Sequence, residues 1–295
     1  MSNWEDTIYS LIVKASTELP DDVKQALSKA IETEAEGSNA RRTLETMLHN
    51  GELACRSRRP ICQDTGTLIF YIKVPPGFSP IQLKQSACKA VRQATADGLL
   101  RQNCVDPLTE RNTTDNTGPG SPIFHIREDE ETDHDRIEIS LILKGGGCEN
   151  VGCQYTLPDS ELSASRDFKG VQKCALDAVW QAQGRGCAPG VLSLCIGGDR
   201  ATGYEASKQQ LLRPLGERSS VPEFAELEEA ILTSANKLGI GPMGLGGKTT
   251  LLDVFITRLG RVPASYFVSV SYMCWAYRKQ RLTASRDGID VRWDD

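Results

Sequence analysis

The sequence predicts a mixed α/β protein, with helices packed around short sheets. Three observations carry this. Residues 4–19 and 21–35 repeat Ile, Leu, Val and Ala at helical spacing and are broken at Pro20. Runs rich in β-branched, apolar and aromatic residues, at Thr67–Val74, Val191–Ile196, Leu251–Thr257 and Ala264–Tyr272, read as strands. Glycine and proline turns separate these runs from further amphipathic stretches.

In chain order, Ser38 can cap a third helix running to about Cys55, with Leu44, Met47 and Leu48 on one face. This acidic helical opening carries no chemical motif and reads as a packing or subunit-contact layer. His49 is lone in sequence and reads as a surface or core residue. Arg56, Arg58 and Arg59 supply either positive potential near Cys62 or a solvated basic loop. After the strand Thr67–Val74, Ser79 is expected to cap a helix with Pro80 at its first position, ended by Gly98. A long polar loop follows, and loops of that length inside a compact domain are commonly functional or disordered. Pro122–Arg127 and Arg136–Lys144 read as two strands joined by an acidic hairpin tip, with His125 on a strand and His134 in the turn. Asp167–Gln183, Ala201–Leu212 and Pro222–Leu238 read as helices. The residues after about 280 read as a polar, frayed tail. The resulting division is a helical layer over 1–60, a catalytic domain over 61–280 and a tail over 281–295.

Bulk properties narrow the function. The chain has 295 residues, a net charge of −5 and scattered Lys and Arg, so a nucleic-acid surface is not indicated. No apolar run approaches the roughly 18 residues needed to cross a bilayer. The opening MSNWEDTIYS resembles neither a secretory signal nor an Arg-rich transit peptide, so the expected location is the cytosol. Ten cysteines occur without any C-x-x-C pair. In a reducing compartment they form no disulfide framework. Cys88, Cys174 and Cys195 lie among apolar residues and read as core filler. Cys148 and Cys153 are expected to be exposed to a glycine loop and are weaker metal candidates.

The chemistry concentrates in Ile61–Val74, ICQDTGTLIFYIKV. Cys62, Gln63, Asp64 and Thr65 stand at the mouth of a strand, where Gly66 makes the turn. This places a soft ligand, an amide and an acid on a rigid element. Cys187, in GRGCAPG, and Cys274, in SYMCWAYRK, share the strand-end context. Three thiolates suit a zinc ion with an open fourth position or a [4Fe-4S] cluster with one iron free. Arg101 is a candidate carboxylate fork. The glycines at 145–147 offer backbone N–H groups to an anion. The run Gly247-Lys248-Thr249 lacks the opening glycine of a phosphate loop, because Pro242 stands there, so Lys248 reads as an anion contact and not an ATP lysine.

The motifs CQDTGT, RQNCVDPLTERNTTDNT, KGGGCEN, GRGCAPG, IGGDRATGYEASKQQLLRPLGER, LGIGPMGLGGKTT and PASYFVSVSYMCWAYRK resemble, in order, the N-terminal cluster-binding part of class I iron–sulfur hydro-lyases. These are the class I fumarases and the related L-tartrate dehydratases. The resemblance extends from about Thr43 to Lys279. It implies a [4Fe-4S] cluster held by Cys62, Cys187 and Cys274 between two lobes. It implies Gln63, Asp64 and Arg101 at the substrate, with Asp64 as an acid/base or orienting carboxylate, and the loop of Gly145, Gly146 and Gly147 bordering the pocket; Lys248 joins the substrate-site candidates as the anion contact read above. The implied reaction is the reversible dehydration of (S)-malate to fumarate, a step of the tricarboxylic acid cycle, in an oligomeric cytoplasmic enzyme. Dehydration of tartrate to oxaloacetate by a tartrate dehydratase α subunit is the alternative. A non-catalytic iron–sulfur sensor or scaffold, or a zinc-binding structural module, is the alternative of another class. Two departures stand out. Val262 occupies the place of a family histidine. The family's base lies in a further domain, expected here on a β subunit or a C-terminal continuation.

Overall fold

A computed structural model describes residues 3–129 and 135–294. The chain is mixed α/β, as predicted, with two mixed sheets. It forms two compact units. Unit one comprises residues 1–21, 49–146 and 276–295; unit two comprises 22–48 and 147–275.

Unit one is built on a five-stranded sheet. Its strands are β1 (Thr67–Val74), β2 (Ile123–Glu128), β3 (Arg136–Lys144), β8 (Lys279–Ser285) and β9 (Val291–Asp294), in the order β2-β1-β3-β8-β9. Along β1, Leu68, Phe70, Ile72 and Val74 alternate onto the core face, as the two-residue strand period requires. They meet Ile8, Leu11 and Ile12 of α1 (Asn3–Thr17) and Leu83, Ala87 and Val91 of α4 (Ile81–Ala96). The opposite face of β1 is buried as well, at Ile69 and Tyr71, and Tyr71 stacks on His125 at 4.7 Å.

Burial on both faces explains a departure from the predicted hairpin. β2 and β3 do not pair with each other. β1 lies between them, parallel to β2 and antiparallel to β3. A strand apolar on both faces belongs in the middle of a sheet, where both hydrogen-bonding edges are also filled. Most of the acidic turn, residues 130–134 with His134, lies outside the described residues.

The predicted frayed tail is instead ordered strand. Leu282 and Ala284 of β8 are fully buried and alternate with polar residues, a pattern that average polarity hides. Trp4 Nε1 donates to the Arg286 carbonyl at 3.1 Å, and Thr7 Oγ1 to the Gly288 carbonyl at 2.8 Å. Ser79 does not cap α4. Pro80 occupies the cap without a side-chain hydrogen bond, because the helix begins one residue later than predicted.

Unit two carries the sheet β4-β7-β5-β6, from β4 (Cys153–Thr156), β5 (Gly190–Gly197), β6 (Leu251–Leu259) and β7 (Phe267–Met273). β5 is buried at every residue. Helices α6 (Phe168–Ala182) and α8 (Pro222–Asn236) pack Val171, Cys174, Ala178, Leu227 and Ile231 into its core. Asp167 caps α6 by accepting from the Gly170 N–H at 2.7 Å. Asp199 caps α7 (Arg200–Gln210) in a capping box with Thr202. α2 (Asp21–Thr33) precedes Glu34, and the third helix, α3 (Asn39–Ser57), is capped by Ser38, whose Oγ accepts from the Arg41 N–H at 3.1 Å. Among the described residues, no helix is long and apolar enough to cross a membrane.

Candidate functional site

The strand mouth of unit one is held from several sides. Ile61 N–H donates to the Ser16 carbonyl at 2.9 Å, and Asn50 Nδ2 to the Ile61 carbonyl at 2.8 Å. Asp64 then closes a turn on itself: its Oδ1 accepts from the Gly66 N–H at 3.1 Å. Its Oδ2 accepts from the Gly146 N–H at 2.8 Å. Gly66 has φ +76, and a Cβ there would lie 2.5 Å from the Lys144 carbonyl carbon, so both the conformation and the close approach require glycine. Gly145 is similarly tight, because a Cβ would lie 2.8 Å from Asp64 Oδ2. The glycine run thus does offer N–H to an anion, and the anion it meets is the Asp64 carboxylate. The run is also not an open loop: it begins the short helix α5 (Gly146–Asn150).

Thr65 is buried and ties the strand mouth to the long polar loop. Its Oγ1 accepts from the Arg101 N–H at 2.9 Å and from Asn103 Nδ2 at 3.1 Å. Asn116 orders the loop from behind. Its Oδ1 accepts from the Asn103 N–H, and its Nδ2 donates to the Arg101 carbonyl, both at 2.7 Å. Asp64, Thr65 and Arg101 are therefore one hydrogen-bonded frame, while the side chains of Gln63 and Arg101 remain exposed. Cys62 is half-buried. Arg56, in the last turn of α3, and Arg58 and Arg59 after it are exposed. Thr65 is marked in sequence only as part of the strand mouth, and Asn116 does not stand out. The only signal for it is the density of Asn and Thr in NTTDNT.

In unit two, Cys187 ends a 3-10 turn, Gln183–Gly186, with left-handed φ 54 and ψ 60. Its N–H donates to the Gly184 carbonyl at 3.0 Å, and its carbonyl accepts from the Trp275 N–H at 3.3 Å. Tyr272 forms the floor of this turn. A Cβ on Gly190 would lie 2.1 Å from its Cζ, and one on Gly186 2.6 Å from its Cε1. The Tyr272 hydroxyl is pushed well above the ordinary phenol range, chiefly by burial and further by Cys274, Cys148 and Cys187 around it. Cys187 and Cys274 thus share a neighbour within one unit. Cys148, expected to be exposed, is buried because it lies in α5. Cys153 is partly buried, and desolvation pushes its thiol up.

None of the ten cysteines is in a disulfide. The donors at 62, 187 and 274 fit a thiophilic metal or cluster in kind, since thiolate sulfur is what such a group binds. Among the described residues, neither unit by itself groups three or more His, Cys, Asp or Glu side chains for a metal ion.

Lys248 belongs to a second carboxylate-filled loop. Glu34 is 5% exposed, and its carboxylate accepts from the Lys248 N–H at 2.8 and 3.1 Å and the Thr249 N–H at 2.7 Å. The Lys248 side chain is exposed and lines a cavity of about 740 Å³ together with Lys29, Arg218 and Lys237. Val262 is 65% exposed in the β6–β7 connection.

A sequence model of the family described as fumarate hydratase (Fumerase) matches residues 5–283. The chain belongs to this family. The family takes its name from a hydro-lyase, a carbon–oxygen lyase that adds water to a double bond. The chain is 48% identical over 283 residues to a protein of Geobacillus stearothermophilus provisionally named fumarate hydratase class I, covering 95% of this chain and 54% of that relative. It therefore spans about half the length of that family member. It is 36% identical over 277 residues to a Methanocaldococcus jannaschii protein provisionally named L(+)-tartrate dehydratase subunit alpha, covering 93% of this chain and 95% of the relative. The L(+)-tartrate dehydratase subunit alpha of Escherichia coli K12 is 35% identical over 273 residues, covering 92% and 88%.

Proposed function

We propose that this chain is the α-type component of a fumarase-type hydro-lyase that interconverts (S)-malate with fumarate and water. The observation that carries this reading is the 48% identity to a class I fumarase homologue across nearly the whole chain. The tethered Asp64 carboxylate is consistent with it. Cys62, Cys187 and Cys274 would hold a [4Fe-4S] cluster. When bound, that cluster supplies a Lewis-acidic iron that makes the substrate hydroxyl a better leaving group.

The chain's own residues bind and orient the diacid. Arg101, whose backbone is fixed by Thr65, presents an exposed guanidinium to a substrate carboxylate as a two-pronged donor. Gln63 offers a further exposed amide. Asp64, held at both oxygens, cannot swing and serves as an orienting carboxylate. Dehydration removes the C3 proton and the C2 hydroxyl as water. The base for that proton lies outside this chain, on a β subunit or a continuation of the polypeptide. Lys248 contributes a further anion contact. The complete enzyme is a cytoplasmic oligomer.

A second reading, the α subunit of an L-tartrate dehydratase, is supported by the 36% and 35% identity to two proteins carrying that subunit's name. The experiment is to purify the chain with and without its complementary part, reconstitute both without oxygen, and assay malate, fumarate and both tartrates. Malate turnover by the pair and negligible turnover by the chain alone are expected. Full turnover by the chain alone would refute the shared-site reading, and tartrate turnover without malate turnover would select the second.

A further inference from the structure

Arg278 has the largest side chain among those with almost no exposure, at 1%. It lies in unit one with Asp64. Its Nη1 donates to the backbone carbonyl of Asp64. Its own carbonyl accepts from the Leu143 N–H at 2.9 Å, which fixes the arginine to the end of β3. Gly145 stands between the two side chains: a Cβ there would lie 2.8 Å from Asp64 Oδ2 and 3.5 Å from Arg278 Nη2. The Nε of Arg278 is buried and has no hydrogen-bond partner.

This is a poor arrangement for stability alone. An unsatisfied buried donor costs about 1–3 kcal/mol. Taking a guanidinium out of water is costly, and the Asp64 carbonyl that accepts from it is a neutral acceptor. What the arginine does accomplish is geometric. It fixes the Asp64–Thr65 peptide from one side, while Gly66 and Gly146 hold the Asp64 carboxylate and Arg101 and Asn103 hold the Thr65 hydroxyl. The three consecutive residues Asp64, Thr65 and Gly66 are thereby held together.

We infer that Arg278 is a positioning residue for Asp64, setting the direction in which its carboxylate is presented to a dicarboxylate. This rests on the hydro-lyase reading for its functional consequence, but its structural claim can be read separately. The readout is hydrogen exchange in the full chain for Arg278→Met and Arg278→Lys. In Arg278→Met, the Gly66 and Gly146 amides are expected to exchange faster by about tenfold or more, with Leu141 and Leu282 in the sheet unchanged. Arg278→Lys, which keeps a donor, restores much of the protection. In the reconstituted enzyme with its complementary part, Arg278→Met lowers kcat for malate about tenfold or more while KM moves less than about threefold, at unchanged iron and sulfide content. Unchanged exchange at Gly66 and Gly146 overturns the inference. So does loss of protection throughout the sheet in both variants, which would mark Arg278 as a plain core residue. A wild-type enzyme that turns over neither malate nor tartrate overturns the hydro-lyase reading and leaves the exchange result to decide the positioning role.

Discussion

Asp64 Oδ2 accepts the Gly146 N–H at 2.8 Å across 82 residues of sequence. One bond thus joins the acidic turn before β1 to the glycine run after β3. Glu34 does the same at Lys248 and Thr249. Both glycine-rich loops that the sequence marks as anion acceptors are filled by internal carboxylates.

Asp64→Asn retains the volume and one acceptor but removes the charge and mispairs one of the two N–H bonds. Activity of the complete enzyme is expected to fall about 100-fold or more in kcat/KM, with cluster content unchanged. Steady-state kinetics alongside iron and sulfide analysis checks this. A fall in activity that merely tracks lost iron would contradict the orienting role.

The cysteine assignment separates cleanly by substitution. Cys62→Ser, Cys187→Ser and Cys274→Ser are each expected to lose the cluster, read as brown colour and visible absorbance after anaerobic reconstitution. Cys88→Ser and Cys195→Ser should retain it, since Cys195 is fully buried in β5 and Cys88 lies on α4. Full iron and sulfide in the first three would end the assignment.

Glu34→Ala leaves the Lys248 and Thr249 N–H groups without their acceptor. Buried unsatisfied donors cost about 1–3 kcal/mol each, so a loss of about 2–4 kcal/mol is expected. Glu34→Gln, which keeps an acceptor oxygen, should lose less than half as much. Urea denaturation of both variants provides the comparison. Equal stability of wild type and Glu34→Ala would show that the loop does not depend on this carboxylate.

Alkaline stability should depend on the buried thiols. Burial pushes Cys174 up to about 12 and Cys195 up to about 11, from an ordinary 9.0. A value raised in the folded state favours the protonated thiol. Its stabilisation is therefore complete below about 9 and is lost as pH rises through about 11 to 12. Urea midpoints at about pH 8, 10 and 11 should decline for wild type and decline less steeply for Cys174→Ala. Parallel declines would assign the alkaline loss to other groups.

How much was legible beforehand follows the range of each interaction. The strand Thr67–Val74 is readable residue for residue, because its β-branched and aromatic run is a local signal. Ser38 as a cap is equally local. The strands of the tail are not legible because the two buried apolar residues of β8 lie within a polar average. The hairpin reading fails because sequence neighbours need not be sheet neighbours, and only the two-sided burial of β1 places it between β2 and β3.

The sequence by itself determined the fold class, the family and the residue types from which a hydro-lyase site can be built. These rest on composition, period and motif, all written along the chain. Tertiary structure decided what those residues touch. It tied the Asp64 carboxylate to the Gly146 N–H and Arg101 to Thr65, set the Cys187 turn on Tyr272, and buried Arg278 against the Asp64 carbonyl. Each is a contact between residues distant in sequence, set by how strands pair and helices pack, and no local signal encodes such a pairing.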